Sequence, residues 1–225
     1  MHEVRKVVKL SSHLLIKCSQ TGQVWLFNCP EGCQHRLSEH KIKIHQIEHI
    51  ILTSLRTQDI SGIIGLLSSL SLNNRVRSIN LYGPKGLLEY INLARKYSHT
   101  TFRYNLKIRT YYYTCIHKFF PFHLLIYPLD QSSYQSTCNF IEQEKIGRFR
   151  SSKARLYGLE PGPLYGNLKL HKKYLLPDGT VLSGKHFTQK YCMGIKLLCS
   201  IDNYGFRVIH EVSRNNISTI LEINR

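Results

Sequence analysis

Between two apolar runs, the stretch Thr53-Ser54-Leu55-Arg56-Thr57-Gln58-Asp59 concentrates hydroxyls, a guanidinium, a carboxamide and one carboxylate in a short polar turn. A buried strand that ends in such a turn and restarts as a helix is where an α/β fold commonly carries its chemistry. The set is an odd one for catalysis, with one acidic group and no imidazole. A second constellation, Cys29, Cys33, His35 and His40, offers ligand types that zinc accepts. It lacks a second pair at a recognised zinc-site spacing, so it reads as a structural loop. The aromatic cluster from Phe102 to Tyr127 can stack on bases, but core and cross-strand packing explains it with less effort.

The most suggestive constellation is basic. Residues 145–182 carry Arg148, Arg150, Lys153, Arg155, Lys169, Lys172 and Lys173 around glycines and prolines that include Gly162 and Pro163. Cations and backbone amides on one shaped element can meet phosphates; the alternative is a solvated, flexible loop. The whole chain agrees in sign, with 31 Lys and Arg against 14 Asp and Glu and a formal charge of +17 in 225 residues. Folding alone does not require such an excess, and it points to a polyanionic partner. No run of five like charges occurs, so the charge belongs to a folded surface.

The elements that must position these groups follow from pattern. HLLIKC (13–18) and VWLFN (24–28) read as a hairpin, and PEGCQHRLSEHKI as a short helix opened by its proline and glutamate. IEHIILT (47–53) reads as a strand covered on both faces, followed by the polar turn and the apolar helix GIIGLLSSLSL. INLYG (79–83) is a further strand, and PKGLLEYINLARKY a helix with proline at its start. This alternation predicts an α/β layered fold. Residues 101–142 predict several antiparallel strands, and 194–202 and 204–213 two more. With 42% hydrophobic residues the chain can bury one ordinary core, so 1–225 is expected to be a single domain with 145–182 as a basic flexible arm. The seven cysteines are odd in number, scattered and preceded by no secretory signal, which fits a reducing compartment. No apolar run is long enough to span a membrane, and a soluble protein is expected. Alanine occurs only at positions 94 and 154, the mark of an A+T-rich genome.

Four stretches carry a family resemblance: LFNCPEGCQHRL (26–37), IILTSLRTQDISGIIGLLSSLSL (50–72), LYGPKGLLEYI (81–91) and GRFRSSKARLYGLEPGPLYGNLKL (147–170). In this order they resemble the ribonuclease Z family, metallo-β-lactamase-fold endonucleases that trim the 3′ end of precursor tRNA. The resemblance implies a metallo-β-lactamase-like αββα sandwich, incomplete at both ends, with a projecting arm that grips tRNA. The family's initial strand is not legible in MHEVRKVVKLSS, and its final histidine region falls beyond Arg225.

The family loop reads Thr-His-x-His-x-Asp-His, and those ligands hold two zinc ions that polarise a phosphate and acidify a water. Aligned on Thr53, Ile60 and Gly62, its ligand positions fall on Ser54, Arg56, Gln58 and Asp59. Arg56 sets a positive charge where a cation belongs, and Gln58 cannot act as a general base. Further alignment puts Asp130 at the next histidine ligand and Asp202 at the bridging aspartate. Asp59, Asp130 and Asp202 are candidates for an all-oxygen Mg²⁺ or Mn²⁺ site, or ordinary aspartates left from a lost one. The resemblance therefore implies a protein of the tRNA 3′-processing family that is inactive on its own and holds no cofactor where the family uses zinc. Its expected partners are tRNA or precursor tRNA, with a catalytic partner subunit or a second copy of itself, and no membrane. This resembles the amino-terminal half of the long form of the enzyme, which carries the arm and lacks the ligands. An active endonuclease with a remodelled carboxylate site is the alternative, and a protein-interaction scaffold a third. Short alanine-poor frames of this kind resemble the ribonuclease Z-like reading frames of algal plastid genomes, which implies a plastid.

Overall fold

The computed structural model describes residues 5–10, 13–18, 21–119, 122–128, 135–143, 146–176, 179–189, 195–200 and 219–222. Asp130 and Asp202, and the strand expected over 204–213, lie outside them. The chain divides into two compact units, one of residues 1–140 and 196–225 and one of residues 141–195.

In the first unit, six strands lie in sequence order in one sheet. They are β1 (Arg5–Leu10), β2 (His13–Cys18), β3 (Val24–Phe27), β4 (Ile47–Ile51), β5 (Ile79–Pro84) and β6 (Leu106–Tyr111). β1, β2 and β3 pair antiparallel, then β3, β4, β5 and β6 run parallel. The parallel pairs are joined through helices, as parallel strands require: α1 (Cys33–Glu39), α2 (Thr57–Ile60) with α3 (Ile63–Leu72), and α4 (Leu87–Ser98). Four expectations need correction. The initial strand is present as β1, paired with β2 over its whole length. β6 is parallel to β5, not part of an antiparallel set. Pro84 closes β5 instead of opening α4, which starts after Gly86, and α1 starts at Cys33 after Gly32, past Pro30 and Glu31. Gly32 and Gly86 sit at φ 71° and 94°, and each helix starts at the residue after this left-handed glycine, past its proline.

Helices cover one face of this sheet. Ile63, Leu66, Leu67 and Leu70 of α3 and Leu87 and Ile91 of α4 share a buried cluster with Leu26, Ile50, Leu52 and Leu81. The other face is aromatic: the Trp25 ring lies edge-on to Phe122 and Phe140 at 6.0 and 5.2 Å, and Phe27 edge-on to Phe140. Those phenylalanines belong to a second sheet of order β13-β12-β9-β8-β7. Its strands are β7 (Cys115–Phe119), β8 (Phe122–Pro128), β9 (Ser136–Glu142), β12 (Ile195–Ser200) and β13 (Thr219–Glu222). A helix layer and two facing sheets are thus described. Packing accounts for much of the aromatic run, since Phe122, Tyr104 and Tyr111 are buried.

Among the facing rings, His49 stacks on Trp25 at 3.8 Å and 9°. Burial, aided by the Arg109 charge, pushes its pKa from 6.5 down to about 4. Folded protein therefore binds this proton less well than unfolded chain, so the neutral ring costs nothing above pH 6.5 and stability is lost as pH falls from 6.5 towards 4. At pH 4.5 the loss is about 2.5 kcal/mol relative to pH 7. His49→Phe keeps a flat ring on Trp25 without the proton site. Urea denaturation at the two pH values should show the wild-type difference shrink by about that amount in the variant.

The second unit has its own core of Ala154, Leu159, Leu168, Leu182 and Phe187. It is built from α5 (Ser151–Leu156), α6 (Pro163–Lys169), the antiparallel pair β10 (Lys173–Leu175) and β11 (Val181–Ser183), and a 3-10 turn at Gly184–Phe187. A Cβ on Gly184 would stand 2.0 Å from the Leu168 carbonyl oxygen, so only glycine lets that turn press against α6. The basic arm expected over 145–182 falls within this unit.

Candidate functional site

The polar turn leaves the carboxyl end of β4, and Asn28 at the end of β3 organises it. Asn28 has φ 61°, a left-handed conformation that asparagine tolerates better than most residues. Its Oδ1 accepts hydrogen bonds from the Thr53 backbone N–H and hydroxyl, both at 2.9 Å. Its Nδ2 donates to Asp59 Oδ1 at 3.1 Å. The Ser54 hydroxyl donates to Asp59 Oδ2 and accepts from the Arg56 backbone N–H at 3.2 Å. The Asp59 carbonyl accepts from Cys29 N–H at 2.7 Å, and the Cys29 carbonyl from Gly62 N–H at 2.9 Å. A Cβ on Gly62 would lie 2.2 Å from the Pro30 carbonyl oxygen, so glycine alone permits this approach. On the other side, the Tyr111 hydroxyl donates to the Leu52 carbonyl at 2.6 Å and Ser136 N–H to that of Thr53 at 2.9 Å, which ties the turn to β9.

This arrangement is a clasp. Thr53, Ser54, Asp59 and Asn28 are all buried, with Asp59 only 6% exposed, and each carboxylate oxygen of Asp59 accepts a hydrogen bond from a neighbouring side chain. Such satisfaction is what makes a buried carboxylate tolerable. Zinc would need neutral nitrogen and anionic oxygen ligands converging on one centre. The family's ligand positions hold instead a hydroxyl spent on Asp59, the half-buried Arg56 and the exposed Gln58. These residues do not fit a zinc pair. Among the described residues, no three His, Cys, Asp or Glu side chains form a group able to hold a metal. Cys29 and Cys33 lie buried in the main core, where a hydrogen bond to Cys33 and burial push the Cys29 thiol well up. His35 is exposed on α1 and His40 follows its end.

In the second unit, Arg148, Arg150, Arg155, Lys169, Lys172 and Lys173 are exposed, as are Gly162 and Pro163, while Lys153 is half-buried and donates to the His186 carbonyl at 3.1 Å. Pro163 occupies the first turn of α6, where its missing N–H costs nothing. Lys153 is thus tied to the 3-10 turn, and the other cations stay in solvent. Between them, Leu156, Leu170 and Leu175 are also exposed. The turn's governing residue, Asn28, is one that sequence reasoning passed over. Its only signal was an asparagine closing an apolar strand.

No family model matches the chain. It is 32% identical over 204 residues to the ribonuclease Z of Acaryochloris marina, covering 91% of this chain and 65% of that protein. It is 32% identical over 198 residues to the uncharacterized protein ycf56 of Pyropia yezoensis, covering 87% of this chain and 74% of that one. The chain thus spans somewhat less than two thirds of the length of the cyanobacterial ribonuclease Z. Among solved structures, a long form RNase Z from yeast superposes with a TM-score of 0.58 at 13% identity over 98% of this chain and 32% of that chain. The short form of human tRNase Z gives 0.50 at 24% identity over 59% of this chain and 57% of that chain. The fold is therefore that of these ribonuclease Z structures, the metallo-β-lactamase fold, and the chain belongs to the ribonuclease Z family.

Proposed function

We propose that this protein binds tRNA or precursor tRNA without cutting it by itself, the cut being made by a catalytic partner subunit. The observation that carries the reading is the clasp: the loop position that hydrolysis needs for metal is filled by a hydrogen-bonded Asp59, Ser54 and Asn28. Beside it stand the exposed cations of the second unit and a chain charge of +17, which suit a phosphate backbone. A plastid is the proposed location, supported by the alanine-poor composition and by relatives in Pyropia yezoensis and in cyanobacteria. Filter binding of the purified chain to a 3′-extended precursor tRNA tests the reading. Affinity should fall steeply and log-linearly with salt, with a slope of about −3 or steeper from several phosphate contacts. Absent or salt-independent binding would favour a protein scaffold.

A further inference from the structure

Forty consecutive residues, 90–129, contain no aspartate or glutamate, yet carry Arg95, Lys96, Arg103, Lys107, Arg109 and Lys118. All six are exposed. Five of them gather about β6, the last strand in the order of the six-stranded sheet, with Arg95 and Lys96 on α4, Arg103 just before β6 and Lys107 and Arg109 on it, while Lys118 lies on β7. Leu106 and Ile108 turn into the core beneath α4, so the alternation of a strand sends Lys107 and Arg109 to the opposite side. There Arg109 lies over the Tyr82 ring at 5.9 Å. On the α4 side, Arg95 lies over Phe102 at 5.2 Å and Arg103 donates to Asn74 Oδ1 at 3.1 Å. Cations thus flank the edge strand on both sides. Exposed tyrosines accompany them, Tyr97 at 76% and Tyr113 at 83%.

Single features of this rim have ordinary explanations. A lysine on an edge strand discourages strand addition, and cations suit the end of α4 through its dipole. Neither requires six exposed cations with no carboxylate across forty residues, or two largely exposed tyrosines among them, one of them, Tyr97, with the Lys96 ammonium over its ring at 5.9 Å. The nearest preceding carboxylate in the chain, Glu89, lies in the first turn of α4, away from the helix end that carries Arg95 and Lys96. We infer that the rim of α4 and β6 is a second RNA-contact surface, separate from the basic arm, which takes the phosphate backbone of an RNA strand between its two rows of cations. The inference rests on the reading that the chain binds tRNA and extends it to a surface in the other unit. Two contact surfaces in one chain raise affinity without base readout, because each phosphate contact adds a salt-dependent increment.

The test is filter binding of the full chain to a precursor tRNA across a salt series, in three forms: wild type, Lys96→Ala/Lys107→Ala, and the charge-matched Lys41→Ala/Lys43→Ala. The rim variant should lose about tenfold or more in affinity near 0.1 M salt, and its slope should fall by about 1.5 to 2. The matched control should keep affinity within about twofold. Equal loss in both variants would mean that net charge alone matters, and no loss in the rim variant would reduce the lysines to edge protection. Either result overturns the rim surface while leaving tRNA binding intact. Failure of the wild-type chain to bind would overturn the functional reading and the rim with it.

Discussion

Asp59→Ala is expected to lower the stability of the protein by about 3 kcal/mol, because two buried donors, the Asn28 amide and the Ser54 hydroxyl, lose their acceptor at ~1–3 kcal/mol each. For a chain of this size that corresponds to a melting temperature about 6–12 °C lower. Asn28→Ala should cost at least as much, since it strands the Thr53 N–H and one Asp59 oxygen and puts alanine at φ 61°. In a double-mutant cycle by urea denaturation, the pair should couple by about 1 kcal/mol or more. A carboxylate kept for metal chemistry behaves otherwise. Functional sites are commonly strained, so its removal should leave stability level or raise it.

The second large effect concerns the arm. Arg148→Ala/Arg155→Ala/Lys172→Ala removes three exposed cations of the second unit without touching its core of Ala154, Leu159, Leu168, Leu182 and Phe187. If each meets a phosphate, precursor-tRNA affinity near 0.1 M salt should fall by about 10²-fold and the salt slope by about 2 to 3. The loss should be similar for different tRNA sequences, since backbone contacts carry no base information. Lys153→Ala provides an internal contrast. Its ammonium is tied to the His186 carbonyl, so the change should act on thermal stability more than on the salt slope. Equal slopes for wild type and the triple variant would remove the arm from the binding surface.

Much of the fold was legible because period and punctuation agreed locally. The apolar run ending at Leu52, the polar turn and the helix from Ile63 fall where the pattern put them, since a parallel strand covered on both faces has no polar alternation to confuse with anything else. What failed depended on partners distant in sequence. β1 carries a short segment, Arg5–Leu10, without apolar–polar alternation, whose strand character comes from pairing with β2, and β6 is parallel because α4 crosses over to it, which its own aromatic texture does not encode. The prolines at 30 and 84 suggest helix openings by their pattern, whereas Gly32 and Gly86 with positive φ begin the turns. At the site, the replaced ligand positions were readable one by one. That Ser54 and Asp59 are bonded to each other, and that Asn28 reaches across 25 residues to Thr53, follows only from the approach of two strand ends. The acid-free span around β6 is plain in the sequence, but it acquires meaning once β6 is known to be an edge.

The most direct measurement is incubation of the purified chain with a 3′-extended precursor tRNA in Mg²⁺, Mn²⁺ or Zn²⁺, with the products resolved on a denaturing gel. With its ligand positions turned into a clasp, the protein should retain the RNA yet leave it uncut in every metal. Metal-dependent cleavage at the discriminator nucleotide, abolished in both Asp59→Ala and Asp202→Ala, would contradict the account.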